Sequence, residues 1–155
     1  MKRVFLITGS IGSGKSTYAK QNAGKNDIVF DMDEIIRALG GVIHEKRPKG
    51  LQIALAMRNA AISEISKRSG DWENAFFITA TSNRNEIEHL LQVLGAEQIH
   101  MDASLAECKE RIMQDESRKD KAYQIELAEQ WHENYSRVKT TREQFAEFLN
   151  QELNS

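Results

Sequence analysis

One cysteine, one proline and no long apolar run set the outer limits of this chain of 155 residues. The single thiol, Cys108, rules out an intrachain disulfide and with it the disulfide-stapled scaffolds, and a reducing cytosol fits best. Cys108 itself reads as a small core residue rather than a nucleophile. Near the N-terminus the strongly apolar residues Val4 to Ile7 give way at once to Thr8, Gly9 and Ser10. That run is too short for a signal peptide, and no other stretch reaches the roughly 20 apolar residues that cross a bilayer. The expectation is a soluble, cytoplasmic protein with no membrane partner. An excess of charge of one sign is missing too. The formal net charge is −2, so no global field draws the molecule to a polyanion and any such contact must be local. Internal repeats and low-complexity tracts are absent. The length suits one core, and residues 1–155 are read as a single domain.

With proline confined to the loop 42–50, most of the chain is open to regular structure. Val4–Thr8, Asp27–Asp31, Ala75–Thr79 and Gln98–Asp102 read as four short strands. Helices are expected at 15–23, Asp33–Leu39 and Leu51–Arg68, with stops near Gly24 and at Gly40-Gly41. Asn83 with Glu86, and Ser104 with Glu107, resemble capping boxes that open two more. The first runs to Leu94 before Gly95; the second carries Leu105, Cys108 and Ile112 on one face. Residues 122–153 read helical, with a break near Thr140-Thr141. Trp131, Tyr135, Val138, Phe145 and Phe148 form an apolar stripe there, read as packing against the sheet in preference to stacking on a ligand. Strands alternating with helices imply a parallel sheet covered on both faces. The fold class is therefore α/β, with a sheet of about four strands and a helical C-terminus.

The densest signal follows the first strand. Gly9-Ser10-Ile11-Gly12-Ser13-Gly14-Lys15-Ser16 matches G-x-x-x-x-G-K-[ST] without a gap. Glycines admit backbone torsions barred to other residues and let amide N–H groups approach phosphate oxygens. The next helix aims its positive end at the same anion. Lys15 supplies a cation for β- and γ-phosphates, and the Ser16 hydroxyl a ligand for Mg²⁺. Gly9 through Ser16, with Thr17, are the expected nucleotide-binding residues, and ATP with Mg²⁺ the expected ligands.

The second strand ends in Asp31-Met32-Asp33. Along an extended segment the two carboxylates share one face, and strand C-termini in such sheets face the ligand crevice. Asp31 is a candidate for holding Mg²⁺ and Asp33 for accepting a proton from an attacking hydroxyl. Asp33 is equally suited to cap the following helix. Arg37, one turn on, is either a substrate-anion ligand or a solvated arginine. Beyond the fourth strand, Arg111, Arg118, Lys119 and Lys121 gather near a helix end. They read as a lid closing over a triphosphate, with Arg111 and Arg118 the individual candidates, or as a helix terminus where cations are favoured anyway.

Together the phosphate loop, the D-x-D after the second strand and D-x-S-x-x-E-C-x-x-R over Asp102–Arg111 resemble the P-loop kinase group. That group includes polynucleotide 5′-hydroxyl kinases, shikimate and gluconate kinases and zeta-toxin-like kinases. The segments from Asn26 to Gly40, Met57-Arg-Asn-Ala-Ala-Ile and Trp131-His-Glu-Asn-Tyr are closer still to small P-loop ATPase or kinase-like proteins of phages and prophages. The resemblance covers most of residues 1–135. It implies a three-layer P-loop fold, Lys15 and Ser16 on phosphate and Mg²⁺, Asp33 as base and Arg111 as a lid arginine. Two departures stand out. The third strand ends in Thr79-Ala80-Thr81, where many relatives have a carboxylate, and Asp115 stands where lid helices often carry a second arginine. Three classes of function follow: a kinase, an ATP-dependent switch with little phosphotransfer, or a structural protein that keeps only the pocket. For a kinase, His44, Lys46, Arg47 and Lys49 make 42–50 basic, which suits either a nucleotide or nucleic acid end as acceptor or a plain solvated loop. The long C-terminal amphipathic helix is also suited to pairing with a second copy.

Overall fold

The computed structural model describes residues 1–137 and 140–154, so Val138 of the expected aromatic stripe lies outside the described residues. Four parallel strands stand in the order β2-β3-β1-β4: β1 Arg3–Thr8, β2 Ile28–Phe30, β3 Asn74–Ile78 and β4 Glu97–His100. Central β1 pairs with β3 from Arg3 opposite Asn74 to Ile7 opposite Ile78, and with β4 from Phe5 opposite Glu97 to Thr8 opposite His100.

Period-two alternation sorts the side chains to two cores. Val4 and Leu6 of β1 and Ala75 and Phe77 of β3 point one way, onto Ile65 of α3 (Leu51–Ser66) and Ile87, Leu90 and Leu94 of α4 (Arg84–Leu94). Ile7, Phe76 and Ile78 point the other way, onto Ala19 of α1 (Lys15–Asn22). The result is three layers with the sheet in the middle. A third apolar cluster joins Ile11 of the phosphate loop to Cys108 and Ile112 of α5 (Leu105–Gln114) and Ala128 of α6 (Lys121–Arg137). Cys108 is fully buried, the core role expected of it.

Local chemistry sets the helix starts. Asn83 accepts from the Asn85 and Glu86 amides, Ser104 from Glu107, and Thr140 forms a complete capping box with Glu143 that opens α7 (Thr141–Leu153). At Asn83 the box is half made, because the Glu86 carboxylate turns to the Thr81 hydroxyl at 2.9 Å. The short helix after β2, α2, is Met32–Ala38, and its cap is Asp31, whose carboxylate accepts the Asp33 amide at 3.1 Å. Asp33 is therefore inside the helix and not its cap.

The stripe of the C-terminal region divides. Trp131 and Tyr135 pack inward against β4 by stacking with His100. Phe145 and Phe148 on α7 are 60% and 54% exposed, so the packing against the sheet expected of them does not occur. A new helix begins at the Thr140 capping box rather than continuing α6, and α7 buries none of its described residues. Among the described residues no helix is long and apolar enough to cross a membrane.

Candidate active site

Between β1 and α1 the chain bends through Gly9, Gly12 and Gly14 at φ 145°, 77° and 92°, all on the side of the map that disfavours side chains. Space is as restrictive as torsion. A Cβ on Gly12 would stand 2.8 Å from the Cys108 carbonyl oxygen, and one on Gly9 2.7 Å from Ser13 Oγ. The loop is thus pressed onto α5. Arg111 fastens it from the same side, its guanidinium donating to the Ser13 carbonyl at 2.9 Å. No side chain caps the start of α1, and such a helix end keeps amide donors for an anion. Ser13 Oγ is buried without a hydrogen-bond partner among the described residues.

Lys15 lies along the loop, only 8% exposed, with Nζ donating to the Ser10 carbonyl at 2.7 Å. Burial lowers its pKa to about 8, against the opposing pull of Asp33 and then Asp31. Ser16 Oγ donates to Asp31 Oδ2 at 2.6 Å, while the other Asp31 oxygen caps α2. One carboxylate thus ties the phosphate-loop helix to the helix after β2. Asp33 is left to face the cleft above Lys15. Burial, then the nearby Asp31 charge, raises its carboxyl above the ordinary range, with Lys15, Arg37 and Arg118 pulling the other way.

His44, which the sequence offered only as one cation of the basic loop 42–50, completes this end of the cleft. His44 sits in the left-handed region at φ 65°, with Nε2 3.8 Å from Asp33 Oδ2 and 3.5 Å from an Arg118 guanidinium nitrogen. Burial first, then Arg118, Lys15 and Arg37, lowers its pKa to about 4. At neutral pH His44 is uncharged, and its approach to Asp33 is no ion pair. Arg118 is oriented by two bonds, to Asp115 Oδ2 at 3.0 Å and to Gln124 Oε1 at 2.6 Å. Asp115, at the place where a second lid arginine was looked for, instead aims the arginine that is present.

The basic group expected as one lid separates in space. Arg118 lines the cleft. Arg111 reaches loop carbonyls from the α5 side. Lys119 faces a second cavity of 630 Å³, and Lys121 donates to the Met113 carbonyl at 2.6 Å. Arg37 also faces the second cavity and pairs with Glu34 at 2.6 Å. The two cavities share His44 and Arg118 as a wall. The main cleft, of 440 Å³, unites Ile11, Gly12, Gly14, Lys15, Ser16, Thr17, Asp33 and Arg118 from the expected set. It adds His44, Ala80 and Ser82, together with Gln130, Trp131 and Asn134 of α6. The 127/130/131/134 spacing on α6 was present as a sequence signal, but it reads equally as packing.

Among the described residues no group of three or more His, Cys, Asp and Glu side chains could hold a metal ion. Mg²⁺ does not need one, since it is commonly held by one or two protein oxygens together with substrate phosphates. The adjoining Ser16 hydroxyl and Asp31 carboxylate fit that donor set.

No protein-family model and no curated protein matches this sequence. Solved structures do. A chain in the structure of the Pnkp1/Rnl/Hen1 RNA repair complex superimposes with a TM-score of 0.63 at 16% identity, covering 89% of this chain and 46% of that one. This chain therefore spans less than half the length of that one. The structure of deoxyadenosine kinase from M. mycoides with bound dATP matches at a TM-score of 0.40 and 16% identity, over 99% of this chain and 100% of that one; at that score it carries no weight here. Strand order, glycine loop and the first of these likenesses agree that the chain has the three-layer P-loop fold.

Proposed function

We propose that this chain is a kinase that moves the γ-phosphate of Mg-ATP to a hydroxyl acceptor, a nucleotide or a nucleic acid 5′-hydroxyl end. The observation that carries the reading is the division of labour between two neighbouring carboxylates. Asp31 is spent on Ser16 and the α2 cap, and Asp33 is thereby free in the cleft beside Lys15. A carboxylate raised in pKa by burial is a stronger base than an ordinary one.

In this mechanism the loop amides and Lys15 hold the triphosphate, and Arg118 faces the same space. Asp33 takes the proton of the acceptor hydroxyl as the acceptor oxygen bonds to the γ-phosphorus. The bond from that phosphorus to the β,γ-bridging oxygen breaks, and ADP leaves with the electron pair. Mg²⁺, held by Ser16 and Asp31, would supply neutralising charge to the phosphate oxygens when bound. Arg111 supports the site through the loop backbone rather than from within the cleft.

The test is γ-labelled ATP offered with a panel of acceptors to the wild type and to Asp33→Asn. Likeness to a chain of an RNA repair complex puts RNA 5′-hydroxyl ends first in that panel, followed by 5′-hydroxyl DNA, nucleosides and small metabolites. Label that passes to water alone, at a rate no acceptor changes, would defeat the kinase reading. One observation favours an ATP-dependent switch instead: the residues after β3, Thr79-Ala80-Thr81, bring no carboxylate to the cleft. Binding of ATP without transfer to any acceptor is the outcome that reading requires.

A further inference from the structure

The main cleft has two chemically unlike ends. The charged end is the one described above. The other is one face of α6, where Leu127, Gln130, Trp131 and Asn134 succeed one another at three- and four-residue steps. This wall carries no charge. It presents an aliphatic group, an indole and two carboxamides, none of which the phosphoryl transfer itself uses.

Three features set it apart from ordinary packing. Trp131 is only 8% exposed, and its buried indole N–H has no acceptor among the described residues. A buried donor in that state is unfavourable until an acceptor atom reaches it. The ring is also fixed in advance. Tyr135 stacks on it at 4.6 Å and 12°, His100 lies near-parallel at 6.1 Å and 20°, and Arg84 sits 4.7 Å from the Tyr135 ring centroid. Finally, Gln130 and Asn134 stand one turn apart. Both side chains reach solvent at the mouth of the cleft, the Gln130 amide making only a long 3.4 Å contact to Glu126, so each is open to a ligand. Each carboxamide offers a donor beside an acceptor, the pairing that base edges present. Planar rings with such edges are recognised by aromatic contact and edge hydrogen bonds together.

We propose that this α6 wall is a nucleobase site, in which the base packs against Trp131 and Gln130 and Asn134 bond its edge. The proposal rests on the nucleotide reading of the same cleft and specifies where the base goes. The base belongs either to the ATP donor or to a nucleotide acceptor, and the chemistry of recognition is the same for both.

The experiment compares the wild type with the double variant Gln130→Ala, Asn134→Ala by calorimetry in Mg²⁺. The ligands are ATP, inorganic tripolyphosphate, and a nucleoside series added with tripolyphosphate present. Alanine is the best helix former, so α6 is kept; thermal melting checks it. For a donor base, wild type prefers ATP to tripolyphosphate by about 10-fold or more, and the variant loses that preference with tripolyphosphate affinity unchanged. For an acceptor base, the ATP preference is equal in both proteins and nucleoside binding weakens by about 10-fold in the variant. Either result supports the site. Equal affinities for every base-bearing ligand in the two proteins overturn it. Should the double variant unfold, Trp131→Phe keeps an aromatic ring in the stack while removing the N–H and part of the ring surface. Base affinity is then expected to fall about 5-fold, and no change overturns the proposal. These readings need no turnover. A protein that binds bases here but phosphorylates nothing defeats the kinase assignment alone, and a kinase indifferent to bases defeats this site alone.

Discussion

Replacing Asp33 by Asn separates chemistry from folding more cleanly here than at most catalytic carboxylates. The α2 cap and the Ser16 bond both belong to Asp31, so Asp33 contributes neither. Its carboxyl pKa is raised by burial and by the Asp31 charge. The folded state thus holds the Asp33 proton more tightly than the unfolded chain does. The associated stability is present below the ordinary carboxylate value and is lost as pH rises through the folded value. At neutral pH the ionised group is a net liability, and the amide removes it. The expected melting temperature of Asp33→Asn is therefore unchanged or higher. Loss of a positioned general base lowers acceptor phosphorylation by roughly 10²- to 10⁴-fold. Tripolyphosphate and ATP affinity stay near wild type, because Lys15 and the loop hold the phosphates. Asp31→Ala is the control with the opposite signature. It removes a cap worth about 1 kcal/mol and strands the Ser16 hydroxyl, so melting falls by about 2–4 °C or more in a domain of this size. Calorimetric melting with γ-phosphate transfer on one preparation of each variant decides it. A wild-type transfer rate in Asp33→Asn, or a fall of several degrees in its melting temperature, would refute the assignment.

Lys15→Ala should abolish measurable ATP binding in calorimetry while leaving the melting temperature close to wild type, since the buried ammonium gains little from folding. In the free protein Lys15 loses its proton near pH 8; ATP affinity should then decline as pH rises past about 8, and a titration flat to pH 9.5 would place the charge elsewhere. The same shift makes the ligand-free protein gain stability from about pH 8 upward, the depressed base being favoured neutral in the fold. For His44, lowered to about 4, stability is held above 6.5 and lost as pH falls through about 4; His44→Gln should flatten melting temperature against pH across that window. Gly12→Ala meets the Cys108 carbonyl at 2.8 Å with φ at 77°; a loss of about 1–3 kcal/mol and of triphosphate binding is expected, from denaturant melts and calorimetry.

Much of this was legible beforehand, and the reasons are local. Apolar runs such as Val4–Ile7 and the caps at Asn83 and Ser104 are properties of a few adjacent residues, and so is the glycine loop. The break at Thr140 could be read for the same reason. Asp31 and Asp33 could not be told apart, because both stand where a cap is favoured and the choice depends on where Ser16 lies in space. The sequence offered His44 only as one of four basic residues in 42–50; its place in the cleft was not legible because it depends on a left-handed backbone that its residue type does not announce. On α7, periodicity promised burial that the structure does not show: Phe145 and Phe148 stay exposed.

The strand order has a consequence for how the molecule is made. β1 is central, and both of its neighbours are supplied far downstream, β3 from Asn74 and β4 from Glu97. The glycine loop directly follows β1, yet that strand has no hydrogen-bonding partner until some seventy further residues have been made (Arg3 pairs with Asn74). Closing so long a loop must precede any gain from the pairing. Nascent chains halted before β3 are therefore expected to carry the whole glycine motif and bind no triphosphate. Competence should arrive abruptly rather than by degrees as the chain lengthens, with the last step delayed until α5 emerges to back Gly12.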